Sequence, residues 1–101
     1  MDNLTSNNFT ESTRNGIHIV EFSGENCGAC KTMEGLLKQW EPEFNKNGVE
    51  IHKVDCESNM QLVNQFHIRS LPSIFILSDM AVVSQFIGVT DKTSILNSIK
   101  Q

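Results

Sequence analysis

Cys27-Gly28-Ala29-Cys30 sets two thiols three positions apart, close enough to form a small disulfide ring. The motif falls between a strand-like apolar run, Ile17 to Phe22, and an amphipathic helical pattern that starts near Cys30. A helix beginning beside the first sulfur offers unpaired N–H groups and the positive end of its dipole, and both favour a thiolate. Strand, turn and helix in that order favour a redox pair, although half of a zinc site reads the same way. A structural zinc needs four Cys or His ligands in compatible pairs. The only other cysteine, Cys56, is unpaired and far away in sequence, and His18, His52 and His67 lack metal-ligand spacing with one another. The histidines therefore read as structural or surface residues, and no metal is expected. Two charges complete the set: Glu21 alternates with Ile17 and Ile19, and Lys53 with Val49 and Ile51. In a strand alternate residues share a face, so each charge sits on an apolar face.

The elements that must position these residues alternate. Thr5 to Thr13 is a weak, polar helix anchored only by Leu4 and Phe9 and ended by Asn15-Gly16. Ile17 to Phe22 reads as a buried strand. From Cys30 onward Met33, Leu36, Leu37, Trp40 and Phe44 recur at helical spacing and leave Lys31, Glu34, Lys38 and Glu41 outward. Pro42 is expected to kink that helix or end its first segment. Val49 to Asp55 is a second strand, and Ser58 reads as the N-cap of a helix carrying Met60, Leu62, Val63 and Phe66. Ser73 to Leu77 and Val82 to Ile87 form a hairpin across Ser78-Asp79-Met80, and Thr90 caps a last helix with Ile95, Leu96 and Ile99 inward. Strands separated by helices early and a hairpin with a helix late imply an α/β fold, a mixed sheet covered on both faces.

Composition narrows the function. At 101 residues the chain makes one domain, residues 1–101, large enough to fold without disulfide staples. Three cysteines, an odd number, argue against a secreted disulfide scaffold. Met1 to Thr10 is polar, with neither the basic region nor the apolar stretch of a signal peptide, and no later run is long enough to span a bilayer. The expectation is a cytoplasmic protein with no membrane association. A net charge of −4 with scattered Lys and Arg offers no basic patch, which excludes nucleic acid as the expected partner.

Further stretches carry a resemblance. Val20-Glu21-Phe22, Cys27-Gly28-Ala29-Cys30-Lys31, Val54-Asp55-Cys56-Glu57-Ser58-Asn59, Ile68-Arg69-Ser70-Leu71-Pro72-Ser73 and Gly88 together resemble a thioredoxin, over nearly the whole chain. The resemblance implies a thioredoxin fold, dithiol–disulfide exchange without any cofactor beyond the Cys27–Cys30 disulfide, and a cis peptide before Pro72. It also implies disulfide-containing target proteins, an electron donor of the thioredoxin-reductase type, and a monomer. The chain departs from the family pattern in five places. Asn26 stands where Trp precedes the first cysteine, Ala29 replaces Pro, Ser23 replaces an upstream aromatic, and Glu21 replaces a buried Asp. The usual Pro in the helix after the motif corresponds to Gly35, with Pro42 a couple of turns later.

Roles follow. Cys27 precedes the helix and is expected to be the exposed nucleophile; Cys30, in its first turn, is the buried resolving thiol. Gly28 and Ala29 join Leu71, Pro72, Ser73 and Gly88 as the expected substrate contacts. Pro72 is expected to hold Leu71 and Ser73 backbone groups open for an extended substrate segment, and Gly88 to let substrate approach the sulfurs. Glu21 and Lys53 are expected to face each other across adjacent strands beneath the dithiol, with the Glu21 pKa raised and its carboxyl relaying a proton to or from Cys30. Ala29 carries an N–H that proline lacks, which is expected to raise the reduction potential. Cys56, at the same sheet edge as the dithiol, reads as an inert thiol rather than a regulatory one. A non-catalytic binding subunit and a more oxidising oxidoreductase remain the alternatives.

Overall fold

The structure, a computed structural model, describes residues 1–100. The apolar run before the motif forms strand β2, Ile17–Ser23, with every residue after Ile17 buried. A strand buried on both faces belongs in the interior of a sheet. β2 lies between β3, Val49–Asp55, which runs parallel to it, and β4, Ser73–Ser78, which runs antiparallel. β5, Ala81–Ile87, closes one edge antiparallel to β4, and β1, Asp2–Leu4, closes the other parallel to β3. The order is β1-β3-β2-β4-β5.

Side-chain alternation divides the core into two layers. Ile19, Ile51, Ile74 and Ile76 pack with Met33, Leu37 and Phe44 of α2, Gly28–Lys46, and with Ile95 of α4, Lys92–Ile99. On the opposite face Val20, Phe22, Val54, Phe75 and Leu77 pack with Phe9 of α1, Phe9–Thr13, and Leu62 of α3, Met60–Gln65. Phe66 joins this layer with its ring centroid 5.3 Å from Phe9 and 5.0 Å from Phe75, at the steep interplanar angles aromatic pairs favour.

Local boundaries depart from the sequence reading where backbone pairing or loop chemistry outweighs pattern. The first helix is confined to Phe9–Thr13, and the residues before it supply an unexpected strand whose Leu4 is buried. α2 starts at Gly28, not Cys30, and runs through Pro42 without ending. The carbonyl that Pro42 leaves unbonded belongs to Lys38; both residues are exposed, so water can take it. Ser58 does not cap α3: it sits in a short 3-10 turn, Cys56–Ser58, donating to Asp55 Oδ2 at 2.5 Å, and Asn59 holds the cap position. Met60 points outward, 57 % exposed. Asp91, not Thr90, precedes α4; Thr90 is buried and donates to the Gly88 carbonyl at 3.0 Å.

Candidate active site

β2 delivers the chain to the loop Gly24–Asn26, and α2 begins two residues beyond it. Asn26 adopts φ 55°, a left-handed conformation that Asn tolerates better than most residues. Glu25 N donates to the Glu57 carboxylate at 3.2 Å, tying this loop to the turn after β3. Cys27 is the N-cap residue of α2, and its Sγ accepts the amide of Cys30 at 3.2 Å. The donor is thus Cys30 rather than Ala29. Cys27 and Cys30 are joined as a disulfide with their Cα atoms 5.2 Å apart. Cys27 is half-buried between exposed neighbours, whereas Cys30 is 2 % exposed. The helix start therefore presents one sulfur and hides the other.

Register places the proline segment beside this loop. Phe22 pairs with Ser73, so Leu71 and Pro72 lie next to Ser23 and Gly24. The Leu71–Pro72 peptide is cis, and the Pro72 carbonyl accepts the Gly88 amide at 2.8 Å. Gly88 takes φ 87°, which favours glycine, and a Cβ there would meet nothing within 4 Å. Ser73 pairs with Phe22 on one side and Ile87 on the other, so its backbone belongs to the sheet. That corrects the expectation of an open Ser73, while Leu71 lies outside the ladder. Sequence reasoning missed Gly24, where a Cβ would lie 2.8 Å from Leu71 Cδ1. A glycine directly after a buried strand was the available signal for a close approach.

Glu21 is fully buried, and neither carboxyl oxygen has a hydrogen-bond partner. Burial first, then the nearby negative charge of Glu34, pushes its pKa from 4.5 up to about 8, against the opposing pull of Lys53. Glu21 and Lys53 do stand opposite each other in register. The two facing side chains nevertheless form no ion pair. Lys53 Nζ instead bonds Glu34 Oε1 at 2.8 Å, and Glu34 Oε2 takes Lys38 Nζ at 3.0 Å. Lys53 is half-buried, and its long side chain carries the ammonium to the carboxylate on α2. Glu34, read from the sequence as outward, is therefore part of this site. Its position four residues after Cys30 puts the two on one helix face, a signal the apolar pattern alone obscured.

Cys56 is buried and free, and burial pushes its thiol up to about 11, far from a reactive thiolate. His18 and His52 stack at the other end of the sheet, Nδ1 to Nε2 2.9 Å apart, with His18 Nε2 against the Asn15 carbonyl at 2.8 Å. They are structural. His67 is exposed. Among the described residues no group of three or more His, Cys, Asp or Glu side chains is gathered as a metal site. A groove of about 720 Å³ runs past Ser23, Glu25, Lys53 and Asp55, but neither thiol lines it. Of the two disulfide residues only Cys27 has appreciable exposure.

A thioredoxin family model matches residues 1–101. The chain belongs to the thioredoxin family. It is 29 % identical to the thioredoxin of Chlamydia trachomatis over 98 residues, covering 97 % of this chain and 94 % of the relative. With the thioredoxin of Haemophilus influenzae the identity is 31 % over 83 residues, covering 82 % and 77 %. The fold matches that of Chlamydomonas reinhardtii thioredoxin f2, with TM-score 0.87, 24 % identity and coverage of 100 % of this chain and 96 % of the other. As in other thioredoxins, a reducible C-x-x-C pair serves dithiol–disulfide exchange, making the protein a thiol-disulfide oxidoreductase. Disulfide-containing targets and a reductase that restores the dithiol come with the family. No helix among the described residues is long and apolar enough to cross a membrane.

Proposed function

We propose that this thioredoxin reduces protein disulfides as a monomeric single domain, with Cys27 as nucleophile and Cys30 as resolving thiol. The observation that carries the assignment is the asymmetry of the pair: Cys27 is accessible at the helix N-cap, and Cys30 is 2 % exposed. In the reduced protein the Cys27 thiolate, favoured by the helix N-terminus, attacks one sulfur of a target disulfide. A Cys27–target bond forms, the target S–S bond breaks, and the first target thiolate leaves. Glu21, when ionised, takes the proton of Cys30, directly or through one water. The Cys30 thiolate then attacks Cys27 Sγ, the mixed disulfide breaks, and the second target thiolate leaves. Two electrons pass from the dithiol to the target. A reductase of the thioredoxin-reductase type returns them.

Leu71, Pro72 and Gly88 form the ledge on which an extended target segment lies beside the sulfurs, with Gly28 and Ala29 exposed at its rim. An odd cysteine count, with one thiol buried and inert, suits a reducing compartment such as the cytosol. Reduction of insulin by the protein with a chemical reductant tests the reading. The expected outcome is precipitation of the freed chains by the parent and none above background by Cys27→Ser. Absence of turnover by the parent would instead support a non-catalytic binding subunit.

A further inference from the structure

Lys53 stands opposite Glu21 in the parallel pairing of β2 and β3, yet its ammonium is held by Glu34 at 2.8 Å while the Glu21 carboxyl has no partner. A buried carboxyl with a cation within a side chain's swing is a pairing the fold has the parts for but does not make. We propose that Glu34 is a positioning residue of this site: by holding the Lys53 ammonium on α2, it keeps the buried Glu21 carboxyl without a cationic partner.

The surroundings of Glu21 narrow the cause. β4 places Ile74 opposite it, which carries no charge. β3 presents Lys53, and α2 presents Glu34 and, next to Cys27, the buried Cys30. Lys38 lies beyond Glu34 and bonds its other oxygen at 3.0 Å, so Glu34 is anchored from both sides. Asp55 acts on Lys53 rather than on Glu21. Glu34 thus works on Glu21 in two ways, through its own negative charge and by drawing away Lys53, the cation that acts on Glu21 among the described residues. Both favour a protonated Glu21, consistent with the upward shift of its pKa. The effect on catalysis rests on the reading of Glu21 as the base for Cys30: a carboxyl left unpaired stays protonated at neutral pH, so resolution speeds up only as the solution turns alkaline.

The test follows the Glu21 carboxyl directly, by its carbon chemical shift against pH, in the parent, Glu34→Ala, Lys53→Met and the double variant, beside the pH profile of mixed-disulfide resolution. With Glu34 gone, Lys53 is released to Glu21, and the midpoint is expected to fall by roughly one to three pH units. Most of that fall is expected to vanish when Lys53 is also removed. Resolution at neutral pH is expected to quicken several-fold in Glu34→Ala. An unchanged carboxyl midpoint in Glu34→Ala overturns the proposal whatever the kinetics do, and so does a fall of the same size in the Lys53→Met background. A fallen midpoint with an unmoved resolution profile upholds the positioning role and overturns Glu21 as the base for Cys30. Lys38→Ala, which leaves the Lys53 contact in place, is expected to move the midpoint least.

Discussion

Ala29 occupies the second position of α2, one of the two places from which a backbone N–H can reach the side chain of an N-cap residue. In the oxidised protein the Cys30 amide makes that contact, at 3.2 Å. In the reduced protein the Cys27 thiolate has capacity for a second donor, and Ala29 supplies one where proline would not. A donor to the thiolate stabilises the reduced form and raises the potential. The expected outcome for Ala29→Pro is a more negative potential by on the order of tens of mV, each 30 mV being about 1.4 kcal/mol. Equilibration against glutathione measures it, and a variant no more reducing than the parent would count against the Ala29 N–H. At this scale the more accessible Cys27 and the buried Cys30 were legible from their positions at the helix start. The partner of Lys53 was not, because opposition in register fixes where two Cα atoms lie and not where a long side chain ends.

Among elements, β1 was invisible to pattern. Three residues, Asp2–Leu4, carry no alternation to detect, and their stability comes from the ladder along β3 and from Leu4, 3 % exposed in the core. Leu4→Ala is accordingly expected to cost about 2 to 5 kcal/mol, the range for emptying a packed core leucine. Urea denaturation measures this, and a loss within about 0.5 kcal/mol, the scale of a surface change, would show that β1 is not docked. The long elements were legible for the opposite reason. β2 is a run of apolar residues too short for a helix, and α2 repeats Met33, Leu37 and Phe44 at helical spacing. Caps were misplaced by one residue at Ser58 and Thr90, since in both places a neighbouring hydroxyl bonds its own loop. Such hydroxyls read alike in sequence whether they cap a helix or close a turn.

For the molecule as a whole, two buried groups shape stability against pH from opposite sides. Glu21 binds its proton more tightly folded, pKa about 8, than unfolded, 4.5, so between those values the folded state holds more protons and stability falls as pH rises. The slope from one such proton is at most about 1.4 kcal/mol per pH unit. His52 is held below its ordinary 6.5 by burial first and then by His18, so it favours the unfolded state as pH falls beneath that value. Glu21→Gln is expected to flatten the decline between about 4.5 and 8 while leaving the loss on the acid side in place. Thermal melts across pH follow both arms, and an unchanged alkaline arm in the variant would place the Glu21 carboxylate in contact with water. The mixed sheet and its two helical layers were legible because each strand carries its own pattern. The parallel run of β2 and β3 and the hairpin of β4 and β5 came with them, whereas the place of β1 at the edge did not. Catalysis turns on which sulfur attacks. Mass spectrometry of Cys27→Ser and Cys30→Ser after exposure to a disulfide-bonded protein decides it: stable mixed disulfides through Cys27 in Cys30→Ser and none in Cys27→Ser are expected, and trapping through Cys30 in Cys27→Ser alone would contradict it.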